Sequence, residues 1–331
     1  MIYAVPTGDP NSDCTMTAPC SIERAFAVVS ATRNQIKLGP GTYSTGGVTV
    51  NGPSSVTVYG PATVNGGNGV TALDGATLRV RDVTLGAAGC TNDAANLPMN
   101  TVDLERVAIN DNGTVLADVC TMTMEHVTMN VTAANTPAIQ IEGEPAVMGG
   151  GNTNRTSTVT ITDSMIQGGA PAILAAQLAT FDIKNSVFIG AATSTGFFDV
   201  SQARTTSTIA FSTLYNSVLK CPVVQGNGSL TSSNNIIANR RSGAPADTAT
   251  GVDCTHNYDL IVPQSTALTG TNNILGQDPK FTNVGVNDFH LLMGSPAIDA
   301  ADPAATLSTD YDGTARPQGA RSDIGAFEYK P

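Results

Sequence analysis

The amino-acid sequence predicts an all-β fold, a parallel β-helix in which short strands stack coil upon coil. Two observations carry this prediction: a short apolar pattern recurs along the chain, and its apolar residues occupy every second position. Apolar residues at period two, many of them β-branched, indicate strands and not helices. Each repeat is too short to bury its own apolar face, so neighbouring repeats must stack on one another.

The repeat consists of two apolar residues one apart, a polar pair, and a second small or apolar group. The clear copies are Leu78–Leu85, Val102–Ile109, Met122–Met129, Val159–Ile166 and Phe181–Phe188, and weaker copies start at Ile209 and Leu230. The steps between first residues are 24, 20, 37, 22, 28 and 21, so one step carries an insertion. We expect strand, tight corner and strand in each copy, with coils about 4.8 Å apart.

This pattern resembles that of right-handed parallel β-helix proteins, the group that contains pectate lyases, other polysaccharide lyases and many bacterial surface proteins. The aligned corner positions hold Asp82, Arg106, His126, Asp163, Asn185, Thr213 and Asn234. An asparagine ladder is therefore present only in part. The resemblance implies a right-handed coil, and it is specific for fold but not for activity.

The composition favours an extracellular protein. The chain has 331 residues, a formal charge of −11 and only 13% charged residues, so Thr, Ser, Asn and Gly must cover much of the surface. An acidic chain is a poor partner for nucleic acid or an anionic membrane face. No segment is long and apolar enough to cross a bilayer. The N-terminus shows no signal peptide, and we expect the sequence to be a mature region.

Six cysteines predict disulfide bonds, because their spacings match no paired Cys-x-x-Cys zinc pattern. They are Cys14, Cys20, Cys90, Cys120, Cys221 and Cys254. We expect sequential pairing, 14 with 20, 90 with 120 and 221 with 254, although other connectivities are open. The compartment would then be oxidising. The alternative is six free buried thiols in a cytosolic protein.

Residues 1–35 are predicted to form an N-terminal disulfide loop and a capping helix. Ser21 is a suitable N-cap, and the residues after it place an apolar stripe on one helix face. A solenoid end exposes unpaired strand edges and an open core. The helix would therefore lie across that end as a lid.

Residues 36–275 are predicted to form the β-helix itself. It opens with the apolar strand and glycine-rich turn of Ile36–Tyr43. Loops inserted at 137–156, 191–208 and 240–260 are candidate places for a site, because solenoids commonly build sites on such loops.

Residues 276–331 break the repeat and carry a series of short motifs. They are Asp278-Pro279, Asp288–Leu291, Ser295–Asp299, Asp310–Gly313, Arg316-Pro317 and Asp323–Tyr329. The series closely resembles the C-terminal module of choice-of-anchor Q proteins, which are secreted bacterial β-helix proteins with varied surface anchors. The resemblance implies export. We expect no anchor within this sequence, and the anchoring mode is open.

Catalytic candidates are few. A calcium-dependent lyase needs converging carboxylates and a basic residue, and the corner positions supply only Asp82 and Asp163. A hydrolase needs paired carboxylates. The densest mixture of acid, base and cation lies in one loop and comprises Asp253, His256, Tyr258, Asp259, Arg240 and Arg241. Cys254 in that loop indicates instead a loop with a structural role that is held by a disulfide bond.

Possible metal ligands are also weak. Asp310 and Asp312 resemble the start of a calcium loop, but the glutamate that an EF-hand requires is missing. Asp and Gly at turns, with an Arg316–Asp323 ion pair, explain the motif more simply. His126 is expected to be a corner residue and His290 a packing residue. The three histidines do not make a metal site.

The first functional hypothesis is a secreted or cell-surface bacterial protein without catalysis, acting in adhesion or extracellular scaffolding. Its partner would be an extracellular polysaccharide or another surface protein, with Ca²⁺ as the one conceivable cofactor. The alternative is a polysaccharide lyase or glycoside hydrolase with its site on the inserted loops. The lack of Trp and the few unassigned Tyr weaken both carbohydrate interpretations. A third hypothesis, an ice or mineral binder, needs aligned Thr-x-Thr strands, and we expect no such recurrence.

Overall fold

The structure is a computed structural model of the 331-residue chain. It describes residues 1–67, 69–92, 97–110, 113–133, 136–144, 154–190, 198–221, 228–239, 249–250, 254–263 and 268–331. Of residues 201, 202, 220, 249 and 250 it describes only the backbone. The fold is an all-β parallel β-helix, which confirms the predicted fold class. The handedness implied by the family resemblance stays a prediction.

Short strands make up most of the regular structure. In chain order the elements are β1 Ile2–Asp9, α1 Ile22–Ala27, β2 Gln35–Leu38, β3 Thr42–Ser44, β4 Val48–Asn51, β5 Ser55–Asn65, β6 Val70–Leu73, β7 Thr77–Leu85, β8 Ala88–Thr91, β9 Asn100–Glu105, β10 Ala108–Ile109, β11 Val115–Asp118, β12 Cys120–Glu125, β13 Thr128–Val131, β14 Ile139–Glu142, β15 Ser157–Thr162, β16 Met165–Gly168, β17 Ile173–Gln177, β18 Ala179–Lys184, β19 Val187–Ile189, β20 Phe198–Ala203, β21 Thr206–Ala210, β22 Thr213–Tyr215, β23 Leu219–Lys220, β24 Ser229–Ser233, β25 Ile236–Ala238, β26 Ala249–Thr250, β27 Cys254–Asn257, β28 Leu260–Val262, β29 Ile274–Leu275, β30 Phe281–Asn283, a 3₁₀ turn Val284–Val286, and β31 Asp288–Leu291. No helix among the described residues is both long and apolar enough to span a membrane.

The chain divides into two compact units, here called the N-terminal unit and the C-terminal unit. The first comprises Met1–Thr160 with Gln177–Ala179, and the second comprises Ile161–Ala176 with Thr180–Pro331. This division does not test the predicted regions 1–35, 36–275 and 276–331, which stay predictions.

In the N-terminal unit the inward residues of consecutive coils stack in register. Val56, Leu78, Val102 and Met122 form one buried column, and Val58, Val80, Leu104 and Met124 form the next. Alternate residues of the same strands point outward, as the period-two pattern requires. The core is thus made by the residues that define the repeat.

In the C-terminal unit one inward column changes from apolar to polar along the chain. Ile183 pairs with Ile209, Ile209 with Ser232, and Ser232 with His256. All four side chains are buried. Buried polar groups must be hydrogen-bonded to be tolerated, and their partners are described below.

The corners use left-handed backbone. In the N-terminal unit Asp82, Arg106 and His126 have φ of 56°, 52° and 53°. In the C-terminal unit Asp163, Asn185 and Asn234 have φ of 49°, 53° and 58°. The sequence alignment places these six corners correctly.

The seventh corner prediction, Thr213, is wrong. Phe211 has the left-handed φ of 48°, and Thr213 begins β22. Ile209 aligns with the second inward residue of the preceding copy, and the first inward position is held by buried Ser207. A hydroxyl at an inward position concealed the true start of that repeat.

A polar ladder follows the corners of the C-terminal unit. The backbone N–H of each ladder residue donates to the side-chain oxygen of the ladder residue in the next coil. The residues are Ser164, Ser186, Ser212, Asn235, Asp259 and Asn273, joined at 3.2, 3.2, 2.8, 2.8 and 2.9 Å. The N-terminal unit has Val83, Val107 and Val127 at the equivalent positions, so its corners are filled by apolar packing.

The predicted inserted loops contain strands that the repeat pattern missed. Ile139–Glu142 pairs with Val115–Asp118 in the N-terminal unit, and Phe198–Ala203 contributes a two-residue pairing with Leu219–Lys220 in the C-terminal unit. Cys254–Asn257 is also a strand. The first two strands belong to the second sheet, whose strands are short and have no constant sequence pattern, whereas Cys254–Asn257 continues the main sheet next to Ser229–Ser233. Residues 145–153, 191–197 and 240–248 lie outside the described residues.

The three disulfide bonds join Cys14 to Cys20, Cys90 to Cys120 and Cys221 to Cys254. These are the sequential pairs expected from the sequence. The predicted helix is present over Ile22–Ala27, and the Ser21 side chain accepts from the Arg24 N–H at 3.3 Å. It contacts β1, β2 and β4. Its role as a lid on the solenoid stays a prediction.

Candidate functional site

The outward face of the N-terminal unit carries a column of large polar and aromatic side chains, here called the outer column. Its members occupy equivalent positions in five consecutive coils. They are Tyr3, Lys37, Tyr59, Arg81 and Glu105, paired in register in that order. All are half-buried except Arg81, which is exposed. The column therefore places one tyrosine on each side of a lysine, and an ion pair follows the second tyrosine.

Ion pairs link the outer column to the adjacent corners. Arg81 Nε lies 2.7 Å from Glu105 Oε2, and Glu105 also bonds Arg106. Arg106 in turn holds both oxygens of Asp82, with Nε 2.7 Å from Oδ1 and Nη2 3.2 Å from Oδ2. The result is a continuous four-residue network of alternating charge on the surface.

This network sets the charge of its members. The hydrogen bonds from Arg106 lower the pKa of Asp82, and the same bonds raise the pKa of Arg106. Asp82 is therefore a carboxylate at neutral pH, with its charge compensated by a guanidinium. It is unsuited to act as a proton donor.

A second, smaller pair lies in the neighbouring outward column. Arg79 Nε is 3.0 Å from Asp103 Oδ2, with side chains 48% and 34% exposed. Thr57 precedes Arg79 in the same column. Together with the outer column, this pair extends the polar outward surface over adjacent coils.

An open groove of about 520 Å³ lies beside the Asp82–Arg106 pair. Three threonines line it, and they pair in register: Thr42 with Thr63, and Thr63 with Thr84. Single threonines thus recur over three coils at these positions. Thr-x-Thr is not repeated, however, since Ser44 and Asn65 follow two residues after the first two.

The predicted catalytic loop is only partly described. Arg240, Arg241 and Asp253 lie outside the described residues. His256 and Asp259 are buried, 1% and 0% exposed, and His256 Nδ1 lies 2.9 Å from Asp259 Oδ2. They belong to the interior of the coil and not to its outer face.

Tyr258 is the third described member of that predicted loop. It is the corner residue of its coil, with φ of 55°, and its N–H donates to the Thr271 carbonyl at 3.0 Å. Its side chain is half-buried. The structure thus places Tyr258 at the turn between the buried His256 and Asp259.

The proposed calcium ligands serve a turn. Asp310 is buried, and its Oδ1 accepts N–H groups of Asp312 and Thr314 at 3.0 and 2.7 Å. Its Oδ2 accepts the Glu328 N–H at 2.9 Å. Asp312 instead directs Oδ2 to His290. This arrangement favours the turn interpretation, and calcium binding here stays untested.

The Arg316–Asp323 ion pair expected from the sequence is wrong. Arg316 pairs with Glu328 at 2.8 Å and donates to the backbone carbonyl of Asp323 at 3.0 Å. The Asp323 carboxylate accepts the N–H groups of Asp299 and Tyr329. Burial raises the pKa of Asp323 to about 6.

The other residues singled out from the sequence, His126, Asp163 and His290, contact neighbouring side chains. His126 is exposed at its corner, 3.8 Å from Glu125. Asp163 accepts a hydrogen bond from Asn185 at 2.5 Å. His290 does more than pack: Nδ1 lies 2.6 Å from Asp288 and Nε2 lies 2.7 Å from Asp312, with Phe327 against the ring.

Sequence reasoning missed the outer column because its members are not adjacent in the chain. The available signal was the alternation within each strand, since Tyr59 and Arg81 occupy outward positions next to inward Val58 and Val80. The pairing register was needed to show that these outward residues share one column. Tyr3 and Lys37 lie before the recognised repeats.

Comparison with known proteins gives a likeness of fold. No protein-family model matches the chain, and no curated protein matches it. The chain is similar to the crystal structure of pectate lyase Pel9A, with 15% identity, 99% of this chain and 96% of that chain covered, and a TM-score of 0.56. A rhamnogalacturonan lyase matches with 10% identity over 86% of this chain and 91% of that chain, at a TM-score of 0.42. The likeness to Pel9A shows that this chain has the parallel β-helix fold.

Proposed function

We propose that the protein is a secreted, non-catalytic polysaccharide-binding protein that acts in adhesion or extracellular scaffolding. The observation that carries the proposal is the outer column, in which Tyr3 and Tyr59 flank Lys37 and precede Arg81 and Glu105 in register. Aromatic rings and planar polar groups on a rigid surface are well suited to sugars, which have apolar faces and hydroxyl edges.

The two tyrosines provide separate stacking platforms. They occupy positions two coils apart, which corresponds to about 9.6 Å at the usual strand spacing. This distance is comparable to the length of a disaccharide. A chain running along the column could place alternate rings on Tyr3 and Tyr59, with Lys37 between them.

The ion-pair network supplies the hydrogen bonds. Arg81, Glu105, Arg106 and Asp82 offer N–H donors and carboxylate acceptors side by side. A sugar hydroxyl can both donate and accept, so such paired groups match it. Because the charges are compensated, a neutral polysaccharide fits better than a polyanion, which would also meet a chain of charge −11.

The state of the described carboxylates on this surface argues against catalysis there. A lyase of this architecture needs carboxylates that converge on a cation. Asp82, Asp103 and Glu105 each bond to arginine instead. The two acids of a hydrolase need different protonation states, and Asp82 is held ionised.

The alternative function is a polysaccharide lyase or glycoside hydrolase with its site on inserted loops. The pectate lyase activity named for the similar structure supports this alternative by analogy. The base of one insertion is fixed: Glu144 and Arg155 form an antiparallel bridge and an ion pair at 3.1 Å, and Arg155 donates to the Asn92 carbonyl at 2.9 Å.

Export is the second part of the proposal. Three disulfide bonds fit an oxidising compartment. Residues 276–331 would be a choice-of-anchor Q-type module, in keeping with their motif series. Within the C-terminal unit, Ile324 and Phe327 of this segment pack in the same buried cluster as Ile236 and Leu260.

The test combines binding and product analysis. Purified protein is titrated with neutral and acidic polysaccharides, and parallel incubations with Ca²⁺ and with chelator are examined for unsaturated products and reducing ends. We expect binding to a neutral polysaccharide, loss of about tenfold or more in Tyr59→Ala, and no products. Tyr329→Ala, a half-buried tyrosine of the other unit, is the matched control.

Other outcomes would contradict the proposal in distinct ways. Equal affinity of the Tyr59→Ala and wild-type proteins would remove the outer column as the binding surface. Unsaturated products would establish a lyase, and new reducing ends alone a hydrolase.

A further inference from the structure

We propose that reduction of the Cys221–Cys254 disulfide creates a metal site of two cysteines and one histidine, suited to Zn²⁺. The two sulfur atoms and one ring nitrogen of His256 lie within 4.8 Å of one another. All three residues are buried, with Cys221 and His256 1% exposed and Cys254 6%. Zn²⁺ commonly takes thiolate and imidazole ligands in this combination.

The hydrogen bonding of His256 prepares it as a ligand. Nδ1 lies 2.9 Å from Asp259 Oδ2, so the imidazole can donate Nδ1–H to a carboxylate. Nε2 is buried and finds no hydrogen-bond partner among the described residues. A histidine that gives one N–H to a carboxylate and keeps the other nitrogen as a free lone pair has the arrangement that metal-binding histidines adopt.

Asp259 is itself held in place. Its Oδ1 accepts the Asn235 N–H at 2.8 Å, and its Oδ2 accepts the Ser232 hydroxyl at 2.5 Å. The carboxylate is therefore fixed by the polar ladder, and through it the imidazole is oriented. A preformed outer shell of this kind reduces the cost of ordering the site on binding.

The required movement is small. In a tetrahedral zinc site with Zn–S bonds of about 2.3 Å, two sulfurs lie roughly 3.8 Å apart. Opening the disulfide must then separate the sulfurs by less than about 2 Å. The side chains can accommodate this change while the strand Cys254–Asn257 keeps its pairing with Ser229–Ser233.

The chemistry balances with an added phosphine reductant. The phosphine and one water convert the disulfide to two thiols and become a phosphine oxide, so sulfur gains two electrons and two protons. Zn²⁺ then displaces the two thiol protons, which leave to solvent, and binds the two thiolates and His256 with a water as the fourth ligand. The site shares no residue with the outer column, so it does not rest on the proposed polysaccharide binding.

The test uses the full chain, oxidised or phosphine-reduced, titrated with Zn²⁺ and with Co²⁺ as a spectroscopic probe. The reduced protein is expected to bind one equivalent of metal at this site more tightly than at its other thiols. The cobalt-loaded reduced protein should show thiolate-to-cobalt absorption, and the oxidised protein should show no such band. Asp259→Asn should weaken Zn²⁺ binding about 10- to 100-fold. Asparagine already serves the ladder at positions 235 and 273, so this variant keeps the ladder acceptor.

Two controls decide the outcome. The double variant Cys221→Ser/Cys254→Ser keeps the other four cysteines, and undiminished metal binding by it would overturn the proposal. His290→Gln removes a histidine elsewhere and should bind as the wild type does. If the variants fold poorly, X-ray absorption of the cobalt-loaded wild type decides: two sulfurs and one imidazole support the site, and a shell without imidazole refutes it.

Discussion

Arg316 Nη1 lies 2.8 Å from Glu328 Oε1, and neither side chain is exposed to solvent. The same guanidinium donates to the carbonyl oxygens of Asp323 and Gly325, and it lies over the ring of Phe211 at 4.9 Å. One arginine therefore connects the C-terminal segment to a corner of the β-helix. The buried charges compensate each other, so neither can be removed alone without penalty.

Removing one member of this pair should strongly destabilise the protein. Glu328→Gln leaves the Arg316 charge buried without its partner, and the expected loss is about 3–5 kcal/mol in free energy of unfolding. Urea denaturation followed by circular dichroism measures it. The exposed pair Arg79–Asp103 is the control, since Asp103→Asn should cost no more than about 1 kcal/mol. Equal losses in both variants would show that burial does not determine how much an ion pair contributes to the free energy of unfolding.

His290 should make stability depend on pH. Burial by itself lowers the pKa of His290, but hydrogen bonds to Asp288 and Asp312 outweigh it, and the net pKa is raised. A raised folded-state pKa means stabilisation that is complete below the unfolded value of about 6.5 and is lost as pH rises through the folded value. The difference in melting temperature between wild type and His290→Gln should therefore shrink from acidic to alkaline pH. A difference that grows with pH would contradict this assignment.

The polar ladder should contribute to stability one bond at a time. Ser186→Ala removes the acceptor for the Ser164 N–H at 3.2 Å and the donor to the Lys184 carbonyl at 2.7 Å, both in a buried corner. Leaving such groups unpaired costs about 1–3 kcal/mol. Ser233→Ala, at a half-buried outward position, should change stability by about 0.5 kcal/mol or less. Chemical denaturation measures the free energy of unfolding of both variants. Equal losses would show that the ladder hydrogen bonds do not stabilise the protein.

The disulfides should contribute different amounts to the free energy of unfolding, according to the length of the loop that each one closes. Cys90 and Cys120 are 30 residues apart, while Cys14 and Cys20 are 6 apart. Loop-closure entropy then predicts losses of roughly 3.6 and 2.2 kcal/mol for the paired serine variants. Denaturant titration of the two double variants gives the comparison. The reverse order would show that native packing around the short N-terminal loop dominates.

The inward-facing residues of the strands were predicted well from the sequence. Residues such as Leu78 and Val102 repeat at a detectable period because each must fill the same space in its own coil, and stacking imposes the same demand on the next. The pattern weakened where Ser207 and Ser232 replaced apolar inward residues. Ser207 accepts a hydrogen bond from the Phe181 N–H, and Ser232 bonds to Asp259 and Asn235 of the ladder. No local pattern reveals that compensation.

The outward half could not be predicted in the same way. Tyr59 and Arg81 are 22 positions apart in the chain but lie side by side through the register of β5 and β7. Surface positions tolerate many residue types, so no repeated residue marks the column. Likewise, Asp310, Asp323 and Glu328 are all buried, and it is the fold of Asp310–Glu328 that brings the Glu328 carboxylate to Arg316.

The ladder also makes the number of coils a variable that evolution can change. Each ladder side chain serves the equivalent N–H one coil earlier, and Ser186 and Ser212 perform the same task with the same geometry. Deleting one whole coil between equivalent positions would bring the Ser212 hydroxyl to the Ser164 N–H and keep the ladder continuous. Duplication would work by the same logic. Related chains could therefore lengthen or shorten by whole coils, provided that the coil residues bonded to the C-terminal segment, such as Thr213 and Asn234, are kept.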